Sequence, residues 1–452
     1  MKTYEDLLKA DSKENFIKAA INDYKSSVEY ATAKEGKDYY SRKNTTIMNF
    51  VKLLYTITGE VVPDNFSANY KFCNGFFPIF VKQEASYLLG NGANFEDSAT
   101  LEKLGTKKYT FNKALIQAGL KSLWGGVSFG FWNLDHVEIF DALEFVPLYG
   151  EEDGGLHAGI RFWQIKEDKP LRATLYEEDG YSEYIWEKGQ VRILKDKTSY
   201  KLKIGKSEID GVEILDGQNY PTFPIVPLWA NDLKQSELIG LREKIDGYDL
   251  IQSGFASDID DASMIYWTIT NAGGMDDVDL ASFVERMRTV KASVVDDEGS
   301  KAEAHTIEVP YNARMEALKE LRDSLYRDAM ALDTDKISAG NITATAIQAS
   351  YENLDLKCNS FEVCVEDFVN GIMEVAGIED NVSFVRSRIV NQAEATQVVL
   401  SASQYLDDET ILRHLPFLTM EEIPNILDNL VREEADRYEE GQGEDMDGQA
   451  LG

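Results

Sequence analysis

Apolar residues recur at helical spacing through most of the first 125 residues. Phe16, Ala20 and Tyr24 lie four residues apart, which predicts an amphipathic helix. Further apolar stretches predict helices over residues 47–54, over residues 76–89 and over residues 111–123. Gly90 follows the second of these at the position where a helix commonly stops. The N-terminal part of the chain is therefore predicted to be helical.

Between residues 128 and 228 the pattern changes to short runs rich in β-branched and aromatic side chains. Examples are residues 137–140, 159–163, 184–186 and 191–194. Glycine-containing turn signals separate successive runs, as in Lys188-Gly189-Gln190. The segment is therefore predicted to be an antiparallel β meander.

Two long amphipathic helices follow the β region. From Leu238 to Ala262, apolar positions alternate at steps of three and four residues with Gln252 as the polar exception, which is a heptad pattern. Pro310 opens the second helix, which is predicted to run to Leu332. Neither helix can bury its apolar seam alone, so neighbouring copies of the chain are expected to cover it. The seam residues are Leu241, Ile245, Tyr248, Phe255, Ile259, Leu318 and Leu325.

The segments around these two helices complete the predicted architecture. Residues 267–309 form a compact β-α-β-β insert, with strands predicted at 267–270, 292–295 and 306–309. A third long helix is predicted from residue 343 towards Ala376. The fold class is therefore α+β, mainly helical, with one antiparallel β region and a small α/β insert.

Composition and charge narrow the class of protein. With 452 residues and 43% hydrophobic residues, the chain can build several modules around a sizeable core. Three cysteines without a CxxC pair exclude a disulfide framework or a zinc ribbon. The sequence predicts no secretion signal and no membrane-spanning segment. A net charge of −33 argues against tight binding of nucleic acid over the whole surface, although a local basic patch remains possible.

Catalytic chemistry has no positive signal in the sequence. Residues 125–130 have the glycine spacing of a phosphate-binding loop but lack its Lys and Ser/Thr, so we interpret the glycines as a helix-to-strand junction. Asp258, Asp260 and Asp261 are the candidate metal ligands, yet a charged helix face is favoured because further ligands are not apparent. We therefore predict no cofactor, no metal and no enzymatic activity.

One single lysine and one cluster of basic residues are candidates for contacts with other molecules. Lys336 lies in a Gly/Ser/Asp-rich connection between two long helices, although the local sequence alone favours an ordinary solvated lysine. Arg286, Arg288 and Lys291 lie on the compact insert, where such a cluster is usually solvated and occasionally a docking face.

In their order and spacing, five segments make the chain resemble the portal proteins of tailed double-stranded-DNA bacteriophages, of the type found in long-tailed phages of Gram-positive hosts. The segments are Tyr39-Tyr40, residues 74–92 ending in Tyr87-Leu88-Leu89-Gly90, residues 225–232, residues 236–263 and residues 340–347. Departures occur at Thr343-Ala344, where Ser-Gly is common, and at Ser41, where glycine is common. The resemblance covers nearly the whole chain.

The resemblance implies a division into the named regions of a portal subunit. These are a wing at 1–235, a first stem helix at 236–266, a clip at 267–309, a second stem helix at 310–332, a channel loop at 333–342, a long wing helix at 343–393, a crown at 394–440 and an acidic tail at 441–452, which is predicted to be disordered.

The resemblance also implies a function and a set of partners. A ring, usually of twelve subunits, would stand at one vertex of the capsid and conduct double-stranded DNA during packaging and ejection. The implied partners are the terminase large subunit, a head-completion adaptor, and the scaffolding and major capsid proteins, with assembly in the host cytoplasm and final location in the virion.

Two surfaces are implied as contact sites. The loop that would meet DNA comprises Asp333, Thr334, Asp335, Lys336, Ile337, Ser338, Ala339, Gly340 and Asn341, with Lys336 as the foremost cation. The clip face that would dock the terminase comprises Phe283, Arg286, Met287, Arg288 and Lys291. Two alternatives remain: a metal-dependent nucleic-acid hydrolase using the three aspartates named above, and a capsid or tail ring that does not conduct DNA.

Overall fold

The computed structural model describes most of the chain as helices and antiparallel sheets. It describes residues 1–55, 59–65, 67–206, 213–262, 266–270, 278–279, 282–283, 285, 301–305, 310–335, 348–387, 396, 399–415, 418, 423, 426–427, 429 and 432. The chain divides into two compact units, one of Met1–Gly340 with Ser350–Arg386 and one of Asn341–Ala349 with Ser387–Gly452.

Ten helices of the described residues belong to the larger unit. They are α1 (Tyr4–Leu8), α2 (Lys13–Lys25), α3 (Val28–Tyr40), α4 (Thr45–Met48), α5 (Phe76–Leu89), α6 (Thr100–Lys103), α7 (Phe111–Gly125), α8 (Arg242–Ala262), α9 (Tyr311–Asp328) and α10 (Glu352–Ala376). In the smaller unit the described residues include a 3-10 turn, Ser403–Tyr405, and α11, Asp408–His414.

The strands form small antiparallel sheets. They are β1 (Leu53–Tyr55), β2 (Val61–Pro63), β3 (Ala93–Phe95), β4 (Val127–Asn133), β5 (His136–Asp141), β6 (Phe145–Tyr149), β7 (Leu156–Trp163), β8 (Leu171–Glu177), β9 (Gly180–Glu187), β10 (Gln190–Thr198), β11 (Lys201–Lys206), β12 (Glu213–Gln218), β13 (Ile225–Trp229), β14 (Tyr266–Thr270), β15 (Lys301–His305) and β16 (Val382–Phe384). Strands β6 to β10 form a five-stranded meander in chain order, and β13-β4-β5 form a three-stranded sheet. The antiparallel β region is therefore as predicted.

Two hydrophobic cores stabilise the larger unit. The smaller core lies between α2 and the five-stranded sheet, where Ile17, Ile21 and Leu175 are fully buried. The larger core gathers α5, α7 and α10 around the three-stranded sheet. Gly130 of β4 permits this packing, because a Cβ there would lie 2.5 Å from the ring of Phe368 on α10.

The junction of α7 and β4 accounts for the glycine-rich stretch. Gly126 follows the last turn of α7 with a φ of 86°, a left-handed conformation that favours glycine, and β4 starts at the next residue. The interpretation of these glycines as a helix-to-strand junction is confirmed.

Several predicted boundaries are wrong for identifiable reasons. The apolar stripe at 47–54 is not one helix, since α4 ends at Met48 and β1 pairs with β2. The first stem helix begins at Arg242 rather than 236, because Gly240 takes a φ of 85°. The second ends at Asp328 rather than 332, where Met330 takes a φ of 52°.

The long wing helix and the clip also differ from their predicted extents. Helix α10 ends at Ala376 as the pattern predicted, and Gly377 caps it with a φ of 71°. Within 343–393, β16 then pairs with β3, so the region is not one helix. In the clip, β14 matches the predicted strand at 267–270 but pairs with β15. The other predicted strands, 292–295 and 306–309, lie outside the described residues.

Candidate functional site

Helices α8 and α9 form an antiparallel pair that is fastened near both ends by ion pairs. Lys244, near the start of α8, pairs with Asp328 at the end of α9 and donates to Oγ of Ser324 at 2.8 Å. Towards the other end, Asp258 pairs with Arg314. The two helices are therefore held in a fixed register along most of their length.

The predicted seam divides into a buried part and an exposed part. The buried residues are Leu241, Ile245, Leu318 and Leu325, with Tyr248 packed beside the core. They are covered within one chain, so the prediction that neighbouring copies cover them is wrong. The core of the larger unit extends further under the helix pair than the heptad pattern indicated. Ile259 remains 52% exposed, and the ring of Phe255 packs on Tyr311 at 5.5 Å.

An extended segment is hydrogen-bonded along one polar face of α8. The backbone N–H groups of Tyr70, Phe72 and Asn74 donate to the side chains of Ser257, Ser253 and Asp249, respectively, at 3.1, 2.9 and 3.1 Å. Two residues of extended chain span about 6.6 Å and four residues of helix about 6.0 Å, so the two repeats match. We name this arrangement the polar ladder.

Asp249 forms the most buried rung of the polar ladder. Its side chain is fully buried and also accepts from Nδ2 of Asn74 at 2.6 Å and from Nδ2 of Asn44 at 2.8 Å. Burial raises the pKa of Asp249, although these hydrogen bonds oppose the rise. This rung was not predicted from the sequence. The available signal was the four-residue spacing of Asp249, Ser253 and Ser257 beside the apolar stripe.

The structure describes the side chains of two of the three candidate metal ligands, Asp258 and Asp260. Asp258 is engaged by Arg314, and Asp260 is exposed. No group of three or more histidine, cysteine, aspartate or glutamate side chains within the described residues could hold a metal ion. The preferred interpretation of a charged helix face agrees with these observations.

None of the helices in the described part of the chain is both long and apolar enough to cross a membrane.

Several hydrogen bonds hold the segment that leads from the end of α9 into the predicted channel loop. We name residues 329–335 the loop root. Gln83 of α5 accepts from the N–H of Leu332 at 2.8 Å and donates to its carbonyl at 2.9 Å. Arg322 of α9 donates to Asp333 at 2.9 Å and to Asp335 at 2.6 Å. These two acids of the expected DNA-contacting loop are therefore engaged with a cation of their own chain.

A buried group of charges lies next to the loop root. Lys357 of α10 contacts the carboxylates of Glu84 and Glu237, and we name these three residues the charge cluster. Burial is the main cause that raises the pKa of Glu84; Lys357 opposes the rise, the nearby Glu237 adds to it, and the net pKa is about 7. The carboxylates and Cys358 all lie near Lys357, whose own pKa is raised by its acidic partners. The sequence analysis gave no sign of this cluster.

The remaining residues of the two implied contact surfaces are only partly described. Phe283 is half-buried, and Thr334 is exposed in the loop root. Arg286, Met287, Arg288 and Lys291 of the clip face lie outside the described residues. Lys336, Ile337, Ser338, Ala339, Gly340 and Asn341 of the loop do so too. Both surfaces therefore stay predictions.

Two phage portal proteins are similar in sequence to this chain over most of its length. The chain is 23% identical over 418 residues to a portal protein of Clostridium phage phiCD119, a match covering 85% of this chain and 89% of that one. It is 23% identical over 463 residues to the portal protein of Bacillus phage SPP1, covering 91% of this chain and 85% of that one.

A solved structure is similar at lower identity. It is the neck of a native gene transfer agent particle computed with C12 symmetry, with a TM-score of 0.42 and 10% sequence identity. The match covers 77% of this chain and 91% of that chain.

A protein-family model also matches most of the chain. The family model described as "Phage portal protein, SPP1 Gp6-like" matches residues 20–447, and this is a structural family rather than an enzyme family. The resemblance found in the sequence is thereby confirmed. This chain belongs to the SPP1 Gp6-like family of phage portal proteins.

Proposed function

We propose that copies of this chain form the portal ring of a phage particle and conduct double-stranded DNA into and out of the capsid. One observation supports the formation of a ring: helices α8 and α9 expose large apolar side chains to water. Leu250 is 42% exposed, Ile259 52%, Tyr311 57% and Met315 43%. Ile259, Tyr311 and Met315 lie at the same end of the antiparallel pair. Exposed apolar surface of this kind marks an interaction site, and closed symmetry gives every copy the same neighbour.

The charge of the chain suits a channel through which DNA slides. At −33 per copy, a ring presents a strongly acidic field that repels phosphate. Each phosphate held by a fixed cation would add to the affinity and slow the movement of DNA, so few cations should face it. Arg322 is engaged by Asp333 and Asp335. We therefore retain Lys336, which follows in sequence, as the cation that meets DNA.

The proposal includes the partners that such a ring requires. In the clip, Phe283, Arg286, Met287, Arg288 and Lys291 would dock a separate terminase large subunit during packaging, and later a head-completion adaptor. Scaffolding and major capsid proteins would surround the ring at its vertex. The ring would assemble in the host cytoplasm and remain in the virion.

Oligomeric state tests the ring. Light scattering after size-exclusion chromatography, with negative-stain microscopy, should show closed rings for the purified chain. The double variant Ile259→Glu with Met315→Glu should give monomers, because it places charge in the proposed contact. The matched control is Ile165→Glu, since Ile165 is 76% exposed outside the helix pair. A well-folded wild-type monomer at micromolar concentration would refute the proposal.

DNA packaging tests the channel separately from the ring. Lys336→Glu should cause a several-fold loss of packaged DNA in particles of normal shape, because each ring replaces its cations with repelling charges. Lys319→Glu on the exposed side of α9 is the matched control. If Lys336→Glu alters particle shape and leaves DNA content unchanged, the ring is structural and does not conduct DNA.

A further inference from the structure

A single side-chain nitrogen joins the two stem helices to the body of the larger unit. Nζ of Lys357 lies 2.8 Å from Oε2 of Glu84 on α5 and 2.8 Å from Oε2 of Glu237, which precedes α8. The same ammonium donates to the carbonyl oxygen of Ala329, the residue that follows α9, at 3.2 Å. Three separate segments therefore contact this one ammonium group, two through ion pairs with carboxylates and one through a hydrogen bond to a carbonyl.

The charge cluster is buried, so its partners cannot be exchanged freely for water. Glu84 is 2% exposed, and the side chain of Lys357 is 13% exposed. Glu237 is fixed independently, since it accepts from Nδ2 of Asn231 at 2.7 Å and its N–H donates to the carbonyl of Leu123 at 3.0 Å. A buried ion pair commonly adds little net stability over apolar replacements, but losing one partner leaves an uncompensated charge.

The position of the cluster points to a role in holding the loop root. Gln83 and Glu84 are neighbours on α5: the first holds both backbone groups of Leu332, and the second holds the lysine that contacts Ala329. The start of α8 is attached to the same lysine through Glu237. A relative shift of the two stem helices at this end would break at least one of these contacts.

We propose that Lys357 is a positioning residue that fixes the start of the 333–342 segment by tying the end of α9, the approach to α8 and helix α5 to one atom. The inference rests on the proposed function of that segment as the DNA contact. Lys357 is not placed in contact with DNA. Its effect is to transmit any displacement of the loop root to the stem helices and to α5 together.

Hydrogen exchange of the full-length purified protein, read by mass spectrometry, tests this role. In Lys357→Met, amides of residues 329–335 should exchange about tenfold faster, since a charge-assisted contact at the root is lost. Exchange in β7 to β9 should stay unchanged. Lys357→Arg should restore part of the protection, because it keeps the charge and several donors.

Two further variants keep the test decisive. Lys103→Met removes an exposed lysine that pairs with Asp97, and it should leave residues 329–335 unaffected. If Lys357→Met fails to fold, Glu237→Gln should raise exchange in the same residues by a smaller factor. Protection at 329–335 within twofold of wild type in a folded Lys357→Met or Glu237→Gln protein would overturn the inference.

The inference and the proposed function fail in different ways. If exchange at the loop root rises as expected while Lys336→Glu packages DNA normally, the positioning role stands and the DNA contact is wrong. If Lys336→Glu abolishes packaging while exchange at the root is unchanged in Lys357→Met, the DNA contact stands and the positioning role is wrong.

Discussion

The core beneath the five-stranded sheet and the region around helices α8 and α9 are held together by different forces. Between α2 and the sheet, stability comes from fully buried aliphatic and aromatic side chains such as Ile17 and Leu175. Around α8, polar contacts do much of the joining, through the polar ladder and the charge cluster. Apolar packing tolerates small shifts in direction, whereas hydrogen bonds and buried ion pairs require defined geometry. The sheet core therefore anchors the fold, and the contacts around α8 and α9 fix the positions of these helices.

The largest expected effect comes from breaking the apolar core. Leu175→Ala should lower the free energy of unfolding by about 3 kcal/mol, because it leaves a cavity at a fully buried position. Chemical denaturation monitored by circular dichroism measures the change. The surface control Ile165→Ala should change it by less than about 0.5 kcal/mol. Equal effects of the two variants would contradict the assignment of this core.

A smaller and more local effect is expected at the polar ladder. Asp249→Ala removes the acceptor of three hydrogen bonds and leaves buried donors on Asn44 and Asn74, at a cost of about 2 kcal/mol. Exchange of the amides at residues 70–74 should accelerate before the rest of the protein unfolds. Glu243→Ala, at an exposed position of the same helix, is the control. Unchanged exchange at residues 70–74 would show that the ladder does not hold this segment.

The same contrast explains how much of the fold the sequence predicts. The meander and the ends of α5 and α10 follow from alternation, periodicity and the glycine that follows each helix. Gly377 ends α10 in a left-handed conformation, whereas Gly90 stays right-handed. The buried part of the seam was predicted correctly as apolar but assigned to the wrong partner, whereas Ile259 stays exposed. Periodicity identifies which side of a helix is apolar and carries no information about whether the covering surface belongs to the same chain.

The candidate site is less predictable because its contacts join residues far apart in sequence. The rungs of the polar ladder connect positions that are 175 to 187 residues apart. Lys357 likewise contacts Glu84, which lies far away in the sequence. A lone buried lysine or aspartate looks like a surface residue in sequence until its partners are known. The resemblance to portal proteins supplied the regions of the subunit, but it could not supply these side-chain contacts.

The most gradual expected effect is a pH dependence from the charge cluster. The pKa of Glu84 is raised to about 7 in the folded protein, so between its ordinary value near 4.5 and about 7 the folded state binds more protons than the unfolded state. Stability should therefore fall as pH rises through this window, by up to roughly 1 kcal/mol per pH unit, and level off above it.

Glu84→Gln isolates this contribution, because a glutamine cannot titrate at that position. The difference in the free energy of unfolding between wild type and Glu84→Gln, measured by denaturation from pH 5 to 8, should decrease as the pH rises. The core around Leu175 contains no carboxylate, histidine or lysine that could produce such a trend between pH 5 and 8, so Leu175→Ala should run parallel to wild type over this range. A constant difference between wild type and Glu84→Gln would mean that the carboxylate stays ionised throughout and that Lys357 compensates its burial in full.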